Sequence, residues 1–147
     1  MNKMVLAVVI LSFFLGVAST LVAMAAMQWT WRVSNVASVK AVGVGVYADP
    51  GFTVPLTSID WGILEPGSSK NFSAYIVNRS NVPVVLSLAT ENWNPINASA
   101  FITLTWNYAG VQIPVGGSIY VVFVLHVDSA ISGITAFSFT ILIVGSG

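Results

Sequence analysis

The side chains that could perform catalysis are few and scattered. The chain has one histidine, His126, and no cysteine, which excludes thiolate metal sites, disulfides and a cysteine nucleophile. The sequence contains no nucleophile elbow, phosphate loop or calcium loop. The carboxylates lie in predicted turns and at strand ends, with no two close in sequence; they are Asp49, Asp60, Glu65, Glu91 and Asp128. We therefore expect a protein that is not an enzyme and that uses no metal and no cofactor.

Three asparagines are suited to a different chemistry, the attachment of sugars. Asn71, Asn78 and Asn97 each lie two residues before a serine, in the Asn-x-Ser pattern that marks N-glycosylation. This pattern is typical of surface sites in secreted proteins. The sequence therefore predicts a glycoprotein with up to three acceptor sites.

A short segment, residues 28–34, has the alternation of a β-strand. Apolar Trp29, Trp31 and Val33 alternate there with polar residues. A detached strand of this kind can add to the open sheet edge of another copy, as in donor-strand addition. Two other interpretations stay open: the tryptophans form the aromatic belt of a membrane anchor, or the segment is the first strand of its own domain.

The N-terminal segment indicates where the chain is located. Residues 5–27 contain no charged side chain, and as a helix they would be about 35 Å long, enough to cross a bilayer core of roughly 30 Å. Lys3 precedes this run, and Ala23 and Ala25 fit a signal-peptidase site. Residues 1–26 are therefore predicted to be either a cleaved signal peptide or a transmembrane anchor. Both interpretations place the remainder of the chain outside the cell, at its surface.

Residues 36–147 are predicted to form one β-domain, which residues 27–35 join to the apolar segment as a donor strand or linker. Seven runs rich in β-branched and aromatic residues are separated by turn signals. They cover residues 36–47, 57–61, 70–77, 82–89, 102–107, 118–127 and 134–144. Seven strands in a domain of this length predict an all-β, immunoglobulin-like β-sandwich behind an N-terminal apolar helix.

The faces of several strands follow from the period of two. The predicted core face of the fourth strand consists of Val82, Val84, Leu86 and Leu88. The sixth and seventh strands are different, because they are apolar on both faces; the opposite face of the sixth still carries Tyr120, Val122 and Val124. A strand that is apolar on both faces is usually buried on both. We therefore expect a second cover over this surface, either a partner subunit or the membrane.

The composition narrows the choice of partner. Charged residues make up 7% of the chain and hydrophobic residues 56%, and the formal net charge is zero. A nucleic-acid-binding surface needs a basic patch or stripe, which this balance excludes. Copies of the chain itself are the expected partner, together with the membrane if the N-terminal segment is not cleaved.

Two stretches resemble those of a known group of proteins. Residues 60–70 (DWGILEPGSSK) and 75–84 (YIVNRSNVPV), with the signal-like N-terminus and the ending Gly145-Ser146-Gly147, resemble archaeal immunoglobulin-like cell-surface proteins. Proteins of similar architecture are the donor-strand filament subunits, namely archaeal threads and bundling pili and bacterial biofilm-fibre proteins of the TasA type. The resemblance covers residues 36–147 and implies a secreted, glycosylated, non-enzymatic subunit.

Taken together, these features predict a secreted structural subunit of a cell-surface filament that assembles by β-strand donation. The alternative is a membrane-anchored monomeric surface module that binds a glycan or an S-layer partner. The mature N-terminus separates the two: a start at Ala26 or Met27 excludes the anchor, whereas an intact Met1 supports it.

Overall fold

The computed structural model describes residues 35–147, and over this range the chain forms two β-sheets of four strands each. The strands are β1 (Val36–Val42), β2 (Val44–Tyr47), β3 (Ser58–Asp60), β4 (Ser69–Asn78), β5 (Val85–Asn94), β6 (Ile102–Trp106), β7 (Ser118–Val127) and β8 (Ser138–Ser146). A short 3₁₀ turn, Ile96–Ala100, leads from β5 to β6. The prediction of an all-β fold is confirmed for this part of the chain.

The order of the strands differs between the two sheets. The first sheet has the order β3-β1-β8-β5 and the second has the order β2-β4-β7-β6. Strand β1 runs parallel to β8 over its whole length, and every other pair of neighbouring strands is antiparallel. Each sheet therefore has two edges, formed by β3 and β5 in the first and by β2 and β6 in the second.

The buried core consists of the alternate side chains of these strands, as the period of two predicts. In β7 and β8 one alternating set of side chains forms the core, with Val121, Phe123, Leu125, Ile141 and Ile143 all fully inaccessible. One assignment for the β5 region is wrong. Val82 was expected in the core but is 45% exposed, because residues 79–83 form a turn and β5 begins only at Val85.

The valine-rich run over residues 36–47 is not the single strand that its composition predicts. It is divided at Gly43 into β1 and β2, which belong to different sheets. Gly43 has a φ of +74°, a left-handed conformation that costs other residues energy because of their Cβ atom. The glycine thus allows one continuous apolar run to contribute to both layers.

Several predicted features lie outside the described residues. They are the apolar helix over residues 1–26 and the strand-like segment over residues 28–34. Within residues 35–147, no helix has the length and apolar character that a membrane span requires.

The change of sheet at Gly43 should be sensitive to a side chain. In Gly43→Ala the new Cβ would meet the carbonyl oxygen of Gly145 at 3.0 Å, in addition to the backbone strain. Gly116→Ala is the matched control, because Gly116 has a φ of +72° with nothing within 4 Å of the added atom. We expect the control to lower the free energy of unfolding by about 1–2 kcal/mol and Gly43→Ala to lower it further. Equal urea midpoints for the two variants would contradict this account.

Candidate functional site

Asn35, the first residue that the structure describes, is fixed by hydrogen bonds to three other residues. Asn35 is 6% exposed, and its side-chain amide nitrogen donates a hydrogen bond to the carbonyl of Gly62 at 2.9 Å. Its side-chain oxygen accepts from the backbone N–H of Phe137 at 3.3 Å, and its backbone oxygen accepts from Trp61 at 2.8 Å. The predicted donor residues Trp29, Trp31 and Val33 lie outside the described residues; they precede Asn35 in the sequence.

The three predicted glycosylation sites have different environments. Asn71 is exposed on the outer face of β4, where it lies opposite Val124 of β7. Asn97 is exposed in the 3₁₀ turn that precedes β6. Asn78, at the end of β4, is only 1% exposed. The folded chain therefore leaves two of the three asparagines accessible.

Asn78 is a structural residue of the folded domain. Its side-chain nitrogen donates to the carbonyls of Val82 at 2.8 Å and Ile113 at 3.0 Å, and its oxygen accepts from the N–H and hydroxyl of Ser80. Both N–H groups of the amide are in use, and a sugar on that nitrogen would replace one of them inside the core. A glycan at Asn78 is therefore incompatible with this packing.

One flank of the sandwich is closed by the chain itself. On the side of β2 and β3, the segment over residues 54–57 is hydrogen-bonded to both sheets. The backbone N–H of Leu56 donates to the carbonyl of Val46 in β2 at 2.9 Å, and the carbonyl of Thr57 accepts from the backbone N–H of Val39 in β1 at 2.8 Å. Four apolar side chains on this flank face the core and are buried, although Val54 in the covering segment is exposed; the buried ones are Val44, Val46, Leu56 and Ile59. We call this side the closed flank.

A turn at Asp49 shapes the segment that covers the closed flank. The carboxylate of Asp49 accepts hydrogen bonds from the hydroxyl and N–H of Thr53 and from the N–H of Val54. These bonds favour the charged form, so they lower the pKa of the Asp49 carboxyl, with the Thr53 hydroxyl as the largest cause. Their stabilising effect is present above the ordinary carboxyl pKa and is lost as the pH falls through the lowered value.

The opposite flank, between the outer edges of β5 and β6, is closed only at its ends. At one end the hydroxyl of Tyr108 accepts a hydrogen bond from the N–H of Leu86 at 3.1 Å. At the other end Trp93 stacks on Phe139 with ring centroids 4.2 Å apart, next to the 3₁₀ turn. Between these ends, no segment within residues 35–147 pairs with the outer edge of β6. We call this side the open flank.

The backbone of β6 presents hydrogen-bonding groups at the open flank. Asn107 donates its backbone N–H to the carbonyl of Val122 in β7. Because the backbone groups of successive residues point to opposite sides of a strand, the N–H and C=O groups of Thr105 and Thr103 also point toward β7. Ile102, Leu104 and Trp106 therefore direct their N–H and C=O groups outward. Such an edge is a template for another strand unless it is protected by charge, proline or a bulge.

Strand β6 has none of these protective features. It contains no proline and no charged residue, and its register with β7 is regular. Residues 92–127 as a whole contain no Asp, Glu, Lys or Arg. Strand β5, the other edge of this flank, is interrupted by a register shift between Glu91 and Asn94. The β6 edge is therefore the better template of the two.

The side chains at the open flank are incompletely covered. Leu88 of β5 and Leu104 and Trp106 of β6 pack against the core but stay partly accessible. At the closed flank, by contrast, the core-facing side chains of Val46, Leu56 and Ile59 are buried. An added strand would exclude water from these side chains and satisfy the outward backbone groups at the same time.

A second surface lies on the outer face of the second sheet. Tyr47, Tyr75 and Tyr120 form a row across three neighbouring strands, and the rings of Tyr75 and Tyr120 are 5.2 Å apart. Val122 and Val124 continue this face along β7. We call these five residues the tyrosine–valine face. The second apolar face that the sequence predicts for β7 therefore lies on the outer surface of the sheet.

The groups that could perform catalysis are not assembled into a site. The imidazole of His126 is hydrogen-bonded to the hydroxyl of Ser69 at 2.8 Å on an exposed strand face. Residues 35–147 hold no group of three or more metal-ligating side chains. The cleft between Asn35, Leu64, Val127 and Phe137 at one end of the sandwich has no titratable side chain in its lining.

The role of Asn78 can be tested by removing its amide. Asn78→Ala would leave the carbonyls of Val82 and Ile113 without these donors, and we expect it to lower the free energy of unfolding by about 1–3 kcal/mol. Asn97→Ala, at an exposed position, should change it by less than about 0.5 kcal/mol. Denaturant unfolding of both variants measures the difference, and an Asn78→Ala variant as stable as the wild type would refute the structural role.

Comparison with known proteins gives no family assignment. The chain matches no protein-family model, and a search of curated proteins gives no match either.

Proposed function

We propose that this protein is a secreted, non-catalytic subunit of a cell-surface filament, in which residues 28–34 of one copy add as a strand to β6 of the next. We also propose that the two sheets form an immunoglobulin-like sandwich. The observation that carries the functional proposal is the open flank, where an unprotected strand edge lies beside partly covered apolar side chains. The extracellular location follows from the signal-like N-terminus.

The pattern of residues 28–34 complements the open flank. Trp29, Trp31 and Val33 would face inward onto Leu104 and its neighbours, and the polar residues between them would face water. Complete burial of a large apolar side chain contributes about 1.5–3 kcal/mol, and main-chain bonds to β6 would add affinity that does not depend on sequence. The donor and the acceptor thus supply matching halves of one interface.

The positions of donor and acceptor favour a filament over a closed dimer. The donor segment joins the body at Asn35, whereas the acceptor is the β6 edge, so each copy would use two different surfaces. Head-to-tail association of this kind is heterologous, and it continues into an open chain unless the rotation between copies closes a ring. One type of contact would therefore be enough to build a polymer.

A charge at the open flank should block assembly. In Leu104→Lys the aliphatic part of the lysine keeps the contact with the core, and its ammonium reaches water at the partly exposed edge, so the subunit should still fold. A donor strand would have to bury that charge. We expect folded monomers by circular dichroism and sedimentation velocity, and an absence of filaments in negative-stain micrographs.

Thr57→Lys is the matched control, because residue 57 is exposed in the segment that covers the closed flank and its charge would not lie on the β6 edge. It should form filaments as the wild type does. A synthetic peptide of residues 28–34 should also inhibit assembly of the wild type, whereas a peptide of the same composition without the alternation should not. Wild-type filament formation by Leu104→Lys would overturn the assignment of β6, and monomeric wild-type protein with Met1 intact would favour the membrane-anchored alternative.

A further inference from the structure

Asn71, an accessible glycosylation acceptor, lies beside the tyrosine–valine face. Asn71 lies directly opposite Val124 in the β4–β7 register, and opposed side chains on one face are about 5 Å apart at Cβ. Ser73 is opposite Val122, and Tyr75 is opposite Tyr120, so the acceptor and the apolar side chains form three consecutive rows of one surface. Tyr120 is 51% exposed, which leaves ring area available for contact.

We propose that Asn71 carries an N-linked glycan that folds back over the tyrosine–valine face and covers it. This inference rests on the export that the proposed function requires, and it does not depend on strand donation. It identifies the missing cover of β7 as a sugar chain attached to the neighbouring strand. The same surface would then be excluded from contacts between subunits, which would use the open flank.

The chemistry of the surface fits a carbohydrate. Sugar rings have one face of C–H groups that packs on aromatic rings and aliphatic side chains, and hydroxyl groups that remain in water. Tyr75 and Tyr120 lie four residues along the strand from Asn71, about 13 Å at 3.3 Å per residue. A short oligosaccharide attached at Asn71 spans this distance, passing over Val124 and Val122.

The attachment itself is a simple group transfer. The side-chain nitrogen of Asn71 displaces the phosphate group from the anomeric carbon of a lipid-phosphate-linked sugar. A C–N bond forms as the C–O bond to phosphate breaks, and the amide loses one proton. The sugar donor and its transferase are components of the export route, and the chain supplies the Asn-x-Ser acceptor.

The proposal is tested by tyrosine nitration of the full-length protein isolated from its native cells. Glycopeptide mass spectrometry should find a sugar on Asn71, and tetranitromethane should nitrate Tyr120 severalfold faster in Asn71→Gln than in the wild type. Asn97→Gln is the control and should leave the Tyr120 rate unchanged. A second measurement does not depend on how a variant folds: enzymatic removal of the glycan from the folded wild type should raise the Tyr120 rate by a similar factor.

Each outcome bears on this inference separately from the proposed function. An unmodified Asn71 in the exported protein, or a Tyr120 rate that does not change when the glycan is removed, overturns the glycan cover. Filaments of Asn71→Gln that assemble normally support the separation of the two surfaces. A glycosylated Asn71 with protected Tyr120 in a chain that never forms filaments supports this inference and contradicts strand donation.

Discussion

The feature on which this account depends is the unpaired outer edge of β6. Such an edge presents a row of backbone N–H and C=O groups that can exchange water for the backbone of another strand, which makes it a template for strand addition. The chain closes the flank of β2 and β3 with its own residues 54–57. At the other flank, Tyr108 and Trp93 close only the ends. The chain therefore covers part of one flank with its own segment, whereas no strand within residues 35–147 lies beside the outer edge of β6.

The scarcity of charge explains why this edge differs from those of most soluble domains. Natural sheets protect their edges with lysine, proline or bulges, but residues 92–127 contain no charged side chain and β6 contains no proline. The outer face of the second sheet has a similar excess of apolar surface. We propose different covers for the two surfaces: the open flank has outward backbone groups with which a strand can pair, whereas the tyrosine–valine face offers rings and methyl groups suited to a sugar.

The sequence predicted those features that depend on local periodicity. The inner faces of β7 and β8 follow from alternation, because burial on a strand has a period of two. The division at Gly43 was missed because a valine-rich run with glycine looks continuous until the positive φ is known. The burial of Asn78 could not be predicted, because its hydrogen bond to the carbonyl of Ile113, 35 residues away, is invisible to a local motif. The open flank depends on strand order, although the uncharged stretch 92–127 was a signal that could have indicated it.

Intermolecular cross-linking tests the central claim most directly, because the chain has no cysteine of its own. One population carries Thr30→Cys in the donor segment, and a second carries Thr105→Cys on β6 or, as a control, Thr57→Cys at the closed flank. A disulfide requires Cα atoms within about 7 Å, so mixing followed by mild oxidation reports which edge receives the donor. The account predicts linked pairs between the Thr30→Cys and Thr105→Cys populations and none with Thr57→Cys. An absence of links between the Thr30→Cys and Thr105→Cys populations, or links that form only with Thr57→Cys, would contradict it.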